Sequence, residues 1–260
     1  MVLHWLHQLP DLAILAIVLV VVTAMAMLAP QFSRRALRLG ESKEREDAAF
    51  DGYKAVASMI GVVLAFSLVQ ANGVLRSIEV VVVKEAAAIS TVDRVLLRIG
   101  RPELAELRPA LAAYARSIVE DEWPLLAEGK RNPATDDAFI AISKPARSVT
   151  PADARQQAMY NELLRNLDDV ADLREETLAA TDEGLPSFFW ITVSGLLVVG
   201  VGLAALSGAG LSRAVGLAAP ATAIGLLLAF VIIVDQPFEG ETSVKPAAIE
   251  KMLVVIARRT

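Results

Sequence analysis

The sequence predicts an all-α integral membrane protein, with four transmembrane helices and a helical extramembrane bundle inserted between spans 2 and 3. Three observations support this fold class. First, 55% of the 260 residues are hydrophobic, only 21% are charged, and the mean hydropathy is +0.50; average globular chains hold about 45–50% apolar and about 25% charged residues. Second, the excess is aliphatic rather than aromatic and is bunched into windows of about 20 residues, the length that crosses a hydrocarbon core. Third, a long stretch of mixed composition separates the second window from the third, and its apolar residues recur at helical spacing.

The same composition excludes much chemistry. With no cysteine there can be no disulfide, thiol catalysis or zinc–thiolate site. The two histidines, His4 and His7, precede the first apolar run, so no histidine-built site can form elsewhere. A net charge of −5 offers no basic surface for nucleic acid. No nucleophile–base pair and no phosphate-cradling glycine loop after a strand is visible, which argues against an enzyme and calls for no cofactor.

Span 1 is Leu12 to Ala29, closed by Pro30. Ala24-Met25-Ala26 could mimic a cleavage site, but no Lys or Arg precedes the apolar run as a signal peptide requires, so the span is expected to be retained. The connection after it is basic (Arg34, Arg35, Arg38, Lys43, Arg45, Lys54), whereas the leader has no Lys or Arg. This asymmetry places residues 30–54 in the cytoplasm and the insertion outside. Arg213 in the 207–213 turn agrees; Lys245, Lys251, Arg258 and Arg259 in the tail argue mildly the other way.

Span 2 runs from Ala55 to Gly73, with Ser58, Ser67, Gln70 and Asn72 as its polar members. No proline intervenes between Lys54 and Pro102, so one helix should continue well beyond the bilayer. Its stripe of Ile78, Val82, Ile89, Val92, Leu96 and Ile99 faces a bundle, thinning at Ala86. A second helix spans Pro102 to Leu126, with Pro109 and Pro124 kinking or ending it. Residues 129–151, with Gly129, Pro133, Pro145 and Pro151, read as loop with one short helix. The helix from Ala152 to Thr181 aligns Tyr160, Leu163, Leu167, Val170 and Arg174 on one stripe. Arg174 there invites a buried partner, with Asp121-Glu122 as candidates, although snorkelling at a bundle edge would also satisfy it. Asp168, Asp169 and Asp172 read as a solvated acidic face rather than a cation site.

Span 3 is Phe188 to Leu206 and span 4 Ala214 to Val234, the latter interrupted by Pro220 and stopped at Asp235 and Pro237. Gly195, Gly200, Gly202, Gly216 and Gly225 suit close helix approach. The resulting division is residues 1–74 for spans 1 and 2, 75–186 for the extramembrane domain, 187–234 for spans 3 and 4, and 235–260 for a turn and a short helix starting at Pro246.

The closing run Asp235-Gln236-Pro237-Phe238-Glu239-Gly240-Glu241-Thr242-Ser243-Val244-Lys245-Pro246 resembles the D-x-P-F-x-G-x-x-x-V-x-P signature of a bacterial membrane family known as bestrophin-like, or DUF4239. Gly61-Val62-Val63-Leu64-Ala65-Phe66, Glu85-Ala86-Ala87-Ala88 and Glu122-Trp123-Pro124 are similar to its G-V-x-x-A-F, E-A-A-x and E-W-P elements, in the same order. Phe50-Asp51-Gly52-Tyr53 departs from the more charged run of many relatives. The resemblance covers residues 48–254 and implies a multi-pass protein of the bacterial inner membrane. Through the true bestrophins, which are pentameric anion channels, it also implies a homo-oligomer in the lipid bilayer that passes inorganic ions.

Two sets of residues are candidate sites. On span 2, Ser58, Val62, Ala65, Val69 and Asn72 share one helical face with Arg76, and Ser67 and Gln70 lie beside it. Small and weakly polar walls with hydrophobic constrictions suit a pore, and the same residues suit helix–helix contact. In the signature, Asp235, Pro237, Phe238, Gly240, Val244 and Pro246 read either as an interfacial turn or, with Glu239 and Glu241 beside Asp235, as oxygen ligands for a hard cation. The spans hold no ionisable residue, which argues against a proton-coupled transporter. The expected function is therefore passive ion conduction along span 2. The alternative is a non-conducting scaffold or sensor whose outer bundle binds a partner. An acidic outer domain would favour cations near the mouth.

Overall fold

The computed structural model describes residues 9–37, 42–182 and 184–259, and within them every regular element is helical. His4, His7 and Arg38 lie outside the described residues. Ten α-helices follow in chain order: α1 (Asp11–Leu37), α2 (Lys43–Arg98), α3 (Pro102–Ala105), α4 (Leu107–Ser117), α5 (Trp123–Leu126), α6 (Pro133–Ser148), α7 (Ala154–Ala179), α8 (Ser187–Leu206), α9 (Leu211–Val234) and α10 (Ala247–Ala257). Helices α1, α2, α8 and α9 are long and apolar enough to cross a membrane. The contacts group the chain into two compact units: residues 1–73 with 184–243, and residues 74–183 with 244–260.

In the first unit, α1 packs mainly against α9 and secondarily against α8. The approach of α1 to α9 is close because Gly225 has no side chain: a Cβ there would stand 3.1 Å from the Leu19 Cα. At Gly216 a Cβ would meet the Phe50 ring at 2.6 Å, and at Gly200 it would lie 3.8 Å from Val56. Gly195 and Gly202 have nothing within 4 Å, so close approach does not explain them. Polar pins tie the apolar helices together, where each bond lacks competition from water. Thr23 Oγ1 lies 3.2 Å from Thr222 Oγ1, Tyr53 donates to the Leu217 carbonyl at 2.8 Å, and Ser33 donates to the Ala205 carbonyl.

Two prolines behave differently from the sequence expectation. Pro30 does not close the first helix, which runs on to Leu37 with Pro30 inside it. Pro220 does not interrupt α9, which is unbroken from Leu211 to Val234. A proline removes one helical donor, but neighbouring groups can take up the freed acceptors in membrane helices. Near Pro30, the Ser33 hydroxyl shares its single proton between the Ala205 carbonyl and the Pro30 carbonyl at 3.2 Å, which ties this turn to α8 without replacing the lost N–H.

In the second unit, the α2 stripe is buried as the spacing predicted, from Ile78 and Val82 through Ile89 and Val92 to Leu96 and Ile99. The proline-free run extends further than expected, with α2 starting at Lys43 rather than near Ala55. Pro109 sits in the first turn of α4, where its missing N–H costs nothing. The region to Leu126 is broken as Pro124 suggested, with a π-turn at Ile118–Glu122 leading into α5. Residues 129–151 are mostly one helix of 16 residues, longer than the short helix within a loop that was expected. Asn132 caps α6 by accepting from the Ala134 N–H at 2.9 Å, Pro133 occupies the first turn, and Pro145 is carried inside. The α7 stripe buries Leu163, Leu167, Val170 and Arg174, and Asp153 caps its start by accepting from Gln156 N–H at 2.7 Å.

Candidate functional site

Within the first unit, α2 has two contrasting faces. Tyr53, Ala57, Ile60, Leu64, Ser67 and Ala71 are buried against the other helices. Opposite them, Ser58, Val62, Ala65 and Val69 are exposed, Asn72 is half-buried, and Gln70 is exposed beside them. Val69 is 72% exposed and the adjacent Phe66 74%. Ser58 Oγ donates to the Lys54 carbonyl and Asn72 Nδ2 to the Leu68 carbonyl, each at 2.9 Å. These bonds satisfy the polar groups on their own helix, so the stripe is weakly polar, with the bulky Met59 and Phe66 exposed alongside it. The exposed face of α1 differs: Leu12, Val20, Val21, Met25, Leu28 and Phe32 are all bulky and apolar, a surface suited to lipid.

At the basic end of these helices, Arg213 donates to the Glu46 carbonyl at 3.1 Å and pairs with Asp47, while Arg34 pairs with Glu46 at 3.2 Å. The connections that the charge pattern assigned to one side of the membrane are thus bonded together.

The signature turn is built by hydrogen bonds. Asp235 ends α9, and its Oδ1 accepts from the Leu185 N–H at 2.6 Å, fixing the entry to α8. Pro237 is buried, and Gly240 adopts φ +79°, a left-handed conformation that suits glycine. Thr242 Oγ1 donates to the Asp11 carboxylate, anchoring the turn to the start of α1. Phe238 is half-buried. Val244 is buried, and its carbonyl accepts from Trp123 Nε1 at 3.3 Å. Pro246 stands one position before α10 rather than inside it, and its carbonyl accepts from the Ile249 and Glu250 N–H groups. Asp235, Glu239 and Glu241 do not converge: among the described residues, no group of three or more Asp, Glu or His is arranged to hold a metal ion.

The second unit holds a buried polar cluster that the sequence revealed only in part. Arg174, 7% exposed, donates through Nε and Nη2 to Glu122 at 3.0 and 2.6 Å, and through Nη1 to Asp136 at 2.6 Å. The partner is Glu122, not its exposed neighbour Asp121. Asp136 completes the fork, and it falls in the segment expected to be loop. Burial alone would lower the Arg174 pKa, but the hydrogen bonds to Glu122 and Asp136 outweigh it and raise the value. Glu85 on α2 is 1% exposed; its Oε2 accepts from Thr177 Oγ1 at 3.5 Å, while its Oε1 has no hydrogen-bond partner. Burial pushes Glu85 up to about 8; Arg174 counteracts and the Glu122 charge adds to the rise. Tyr114 on α4 is fully buried with an unpartnered hydroxyl, driven well above its ordinary value by burial and then by the charge of Glu85. A second pairing lies along α2, where buried Asp93 accepts from Arg108 at 2.7 Å and from Arg259 at 3.0 Å. Asp168 pairs with Arg147 on an exposed face, as its acidic neighbourhood suggested.

Glu85 lies three residues after Val82 and four before Ile89, hence on the apolar stripe itself. That register was the signal for its burial. Two sequence motifs therefore meet here, since the glutamates of Glu85-Ala86-Ala87 and Glu122-Trp123-Pro124 share one buried cluster.

The comparisons with known proteins agree with this architecture. Residues 16–249 match a family model described as the bestrophin-like domain, which takes in most of the first span as well as the motif-bearing region. No curated protein matches. Among solved structures, a point mutant of a bacterial bestrophin homolog from Klebsiella pneumoniae aligns with TM-score 0.64 at 14% identity, covering 94% of this chain and 98% of that one. Two other point mutants, each described as a membrane protein, align with TM-scores 0.61 and 0.55 at 13% and 11% identity, over 94% of this chain and 96% of theirs.

Proposed function

The chain belongs to the bestrophin-like family, and from that premise we propose that it forms a homo-oligomeric channel in the bacterial inner membrane, conducting inorganic ions passively along the exposed face of α2. The observation that supports this reading is the contrast between the α2 faces. Ser58, Val62, Ala65 and Val69, with the half-buried Asn72 at the end, form a narrow, weakly polar stripe that the protomer leaves largely uncovered, while its opposite face is buried. A pore wall combines small polar positions with apolar constrictions, and the alternation of Ser58, Val62, Ala65 and Val69 supplies both. Gln70 beside the stripe favours a watered or protein-covered surface over lipid, because an exposed amide in hydrocarbon is costly. A single protomer encloses no conduit with this face, so the reading requires copies to assemble around it. The basic 30–54 connection lies on the cytoplasmic side in this arrangement and the 75–186 domain outside.

Reconstitution of the purified protein into planar bilayers tests the proposal, with the oligomer verified by light scattering beforehand. Ohmic or gated currents that Asn72→Leu alters in conductance or selectivity are the expected result. Flat traces at several potentials from a verified oligomer, or a monomer throughout, would leave the scaffold or sensor reading in its place.

A further inference from the structure

We propose that Glu85 is a proton-operated latch in the extramembrane bundle: with its carboxyl neutral, α2 stays packed against α4 and α7, and loss of the proton releases that packing. The geometry is that of a carboxylic acid without a counter-ion. Arg174, the cation whose charge acts on Glu85, has already committed Nε and Nη2 to Glu122 and Nη1 to Asp136. Thr177 from α7 gives one long contact of 3.5 Å, and the second carboxyl oxygen is unpartnered. The Tyr114 hydroxyl from α4 is equally buried and unpartnered, and it feels the charge of Glu85. Glu122 from the π-turn and Asp136 from α6 both bear negative charge toward the cluster. Further along α2, Asp93 is balanced by Arg108 and Arg259 and leaves no cation to spare for Glu85.

An ionised Glu85 in this position would be buried with only the partial offset of the Arg174 charge, next to a second carboxylate, and the protein's cheapest response is to keep it protonated or to expose it. Opening the bundle restores the carboxyl to water, where its ordinary value of 4.5 applies, whereas the closed state holds the proton up to about pH 8. Linkage then fixes the sign. Below the ordinary value both states are protonated and the latch is fully closed; as pH rises the opening equilibrium increases up to ~10-fold per pH unit, levelling above the closed-state value. No other residue of α2 in this unit is both fully buried and carboxylic without a basic partner, Asp93 being paired twice.

The test uses the full-length protein in nanodiscs. Infrared difference spectra across a pH titration report the protonated carboxyl C=O stretch, and hydrogen exchange, corrected for the intrinsic rate at each pH, reports protection at residues 78–92 and 170–178. Expected for the wild type are a carboxyl band lost with a midpoint near 8 and protection that falls by up to ~10-fold per pH unit before levelling. In Glu85→Gln, which keeps the shape of the neutral acid, that band should be missing and protection should vary less than ~2-fold over the same range. Wild-type protection that does not change with pH, the absence of a titrating carboxyl band, or an unaltered pH response in Glu85→Gln would each overturn the proposal. The wild-type titration stands alone should the variant fail to fold.

Discussion

Arg174 and Glu85 show how differently two buried charges can be accommodated on neighbouring helices. Arg174 is fully paired, so removing either partner leaves a charge stranded: Arg174→Met is expected to lower bundle stability by about 3–5 kcal/mol. Thermal unfolding in detergent checks this, and Arg174→Met combined with Glu122→Met should recover much of the loss, since the buried Glu122 charge is then gone and the Asp136 carboxylate left behind is partly exposed to water. Glu85 behaves oppositely. Its value is raised from 4.5 to about 8, so the folded state loses stability relative to Glu85→Gln as pH climbs through that window. The two proteins should therefore melt alike near pH 4 and diverge in favour of Glu85→Gln up to about pH 8, with a constant difference above it. A parallel pH dependence in both would contradict the assignment. The Arg174–Glu122 pairing was legible in part, because an arginine on an apolar stripe either takes a buried partner or snorkels at the bundle edge. Asp136 was not, because four turn-forming residues between 129 and 151 obscured α6. Helix α6 forms nonetheless, since Asn132 and Pro133 are favoured at a helix start as well as in turns.

At the scale of elements, apolar runs and proline spacing were sound guides to where helices exist and poor guides to where they stop. The proline-free stretch announced α2, yet Pro30 and Pro220 lie inside continuous helices. Tertiary partners decide such cases, and a single sequence does not contain them. Glycine shows the same limit. Of five candidate contact glycines, Gly225 is the one whose added Cβ would come within 3.1 Å of a backbone atom on another helix. Gly225→Leu should thus separate α1 from α9 and cost about 1–3 kcal/mol, while Gly195→Ala should be close to neutral. Thermal midpoints in detergent distinguish the two. In the signature turn, Asp235→Ala removes the acceptor for the Leu185 N–H and is expected to destabilise the α9–α8 connection by about 1–3 kcal/mol, without any change in response to added calcium. A calcium-dependent melting shift in the wild type that Asp235→Ala abolishes would restore the cation reading.

For the whole molecule, four apolar windows made the membrane architecture legible in the sequence, and the motifs carried the resemblance to the family. What the sequence withheld is the environment of each exposed face, because lipid, a second copy and an aqueous pore all accept small apolar residues. The chain's lack of cysteine makes that environment directly measurable, as single thiols can be introduced without a background. The decisive measurement is block of bilayer currents by a charged, membrane-impermeant thiol reagent in single-cysteine variants along α2. Rapid block is expected at Val62→Cys, Ala65→Cys and Val69→Cys, and none at Ile60→Cys or Leu64→Cys on the buried face. Modification without block on the exposed face, or equal sensitivity on both faces, would contradict the assignment of this stripe to a pore.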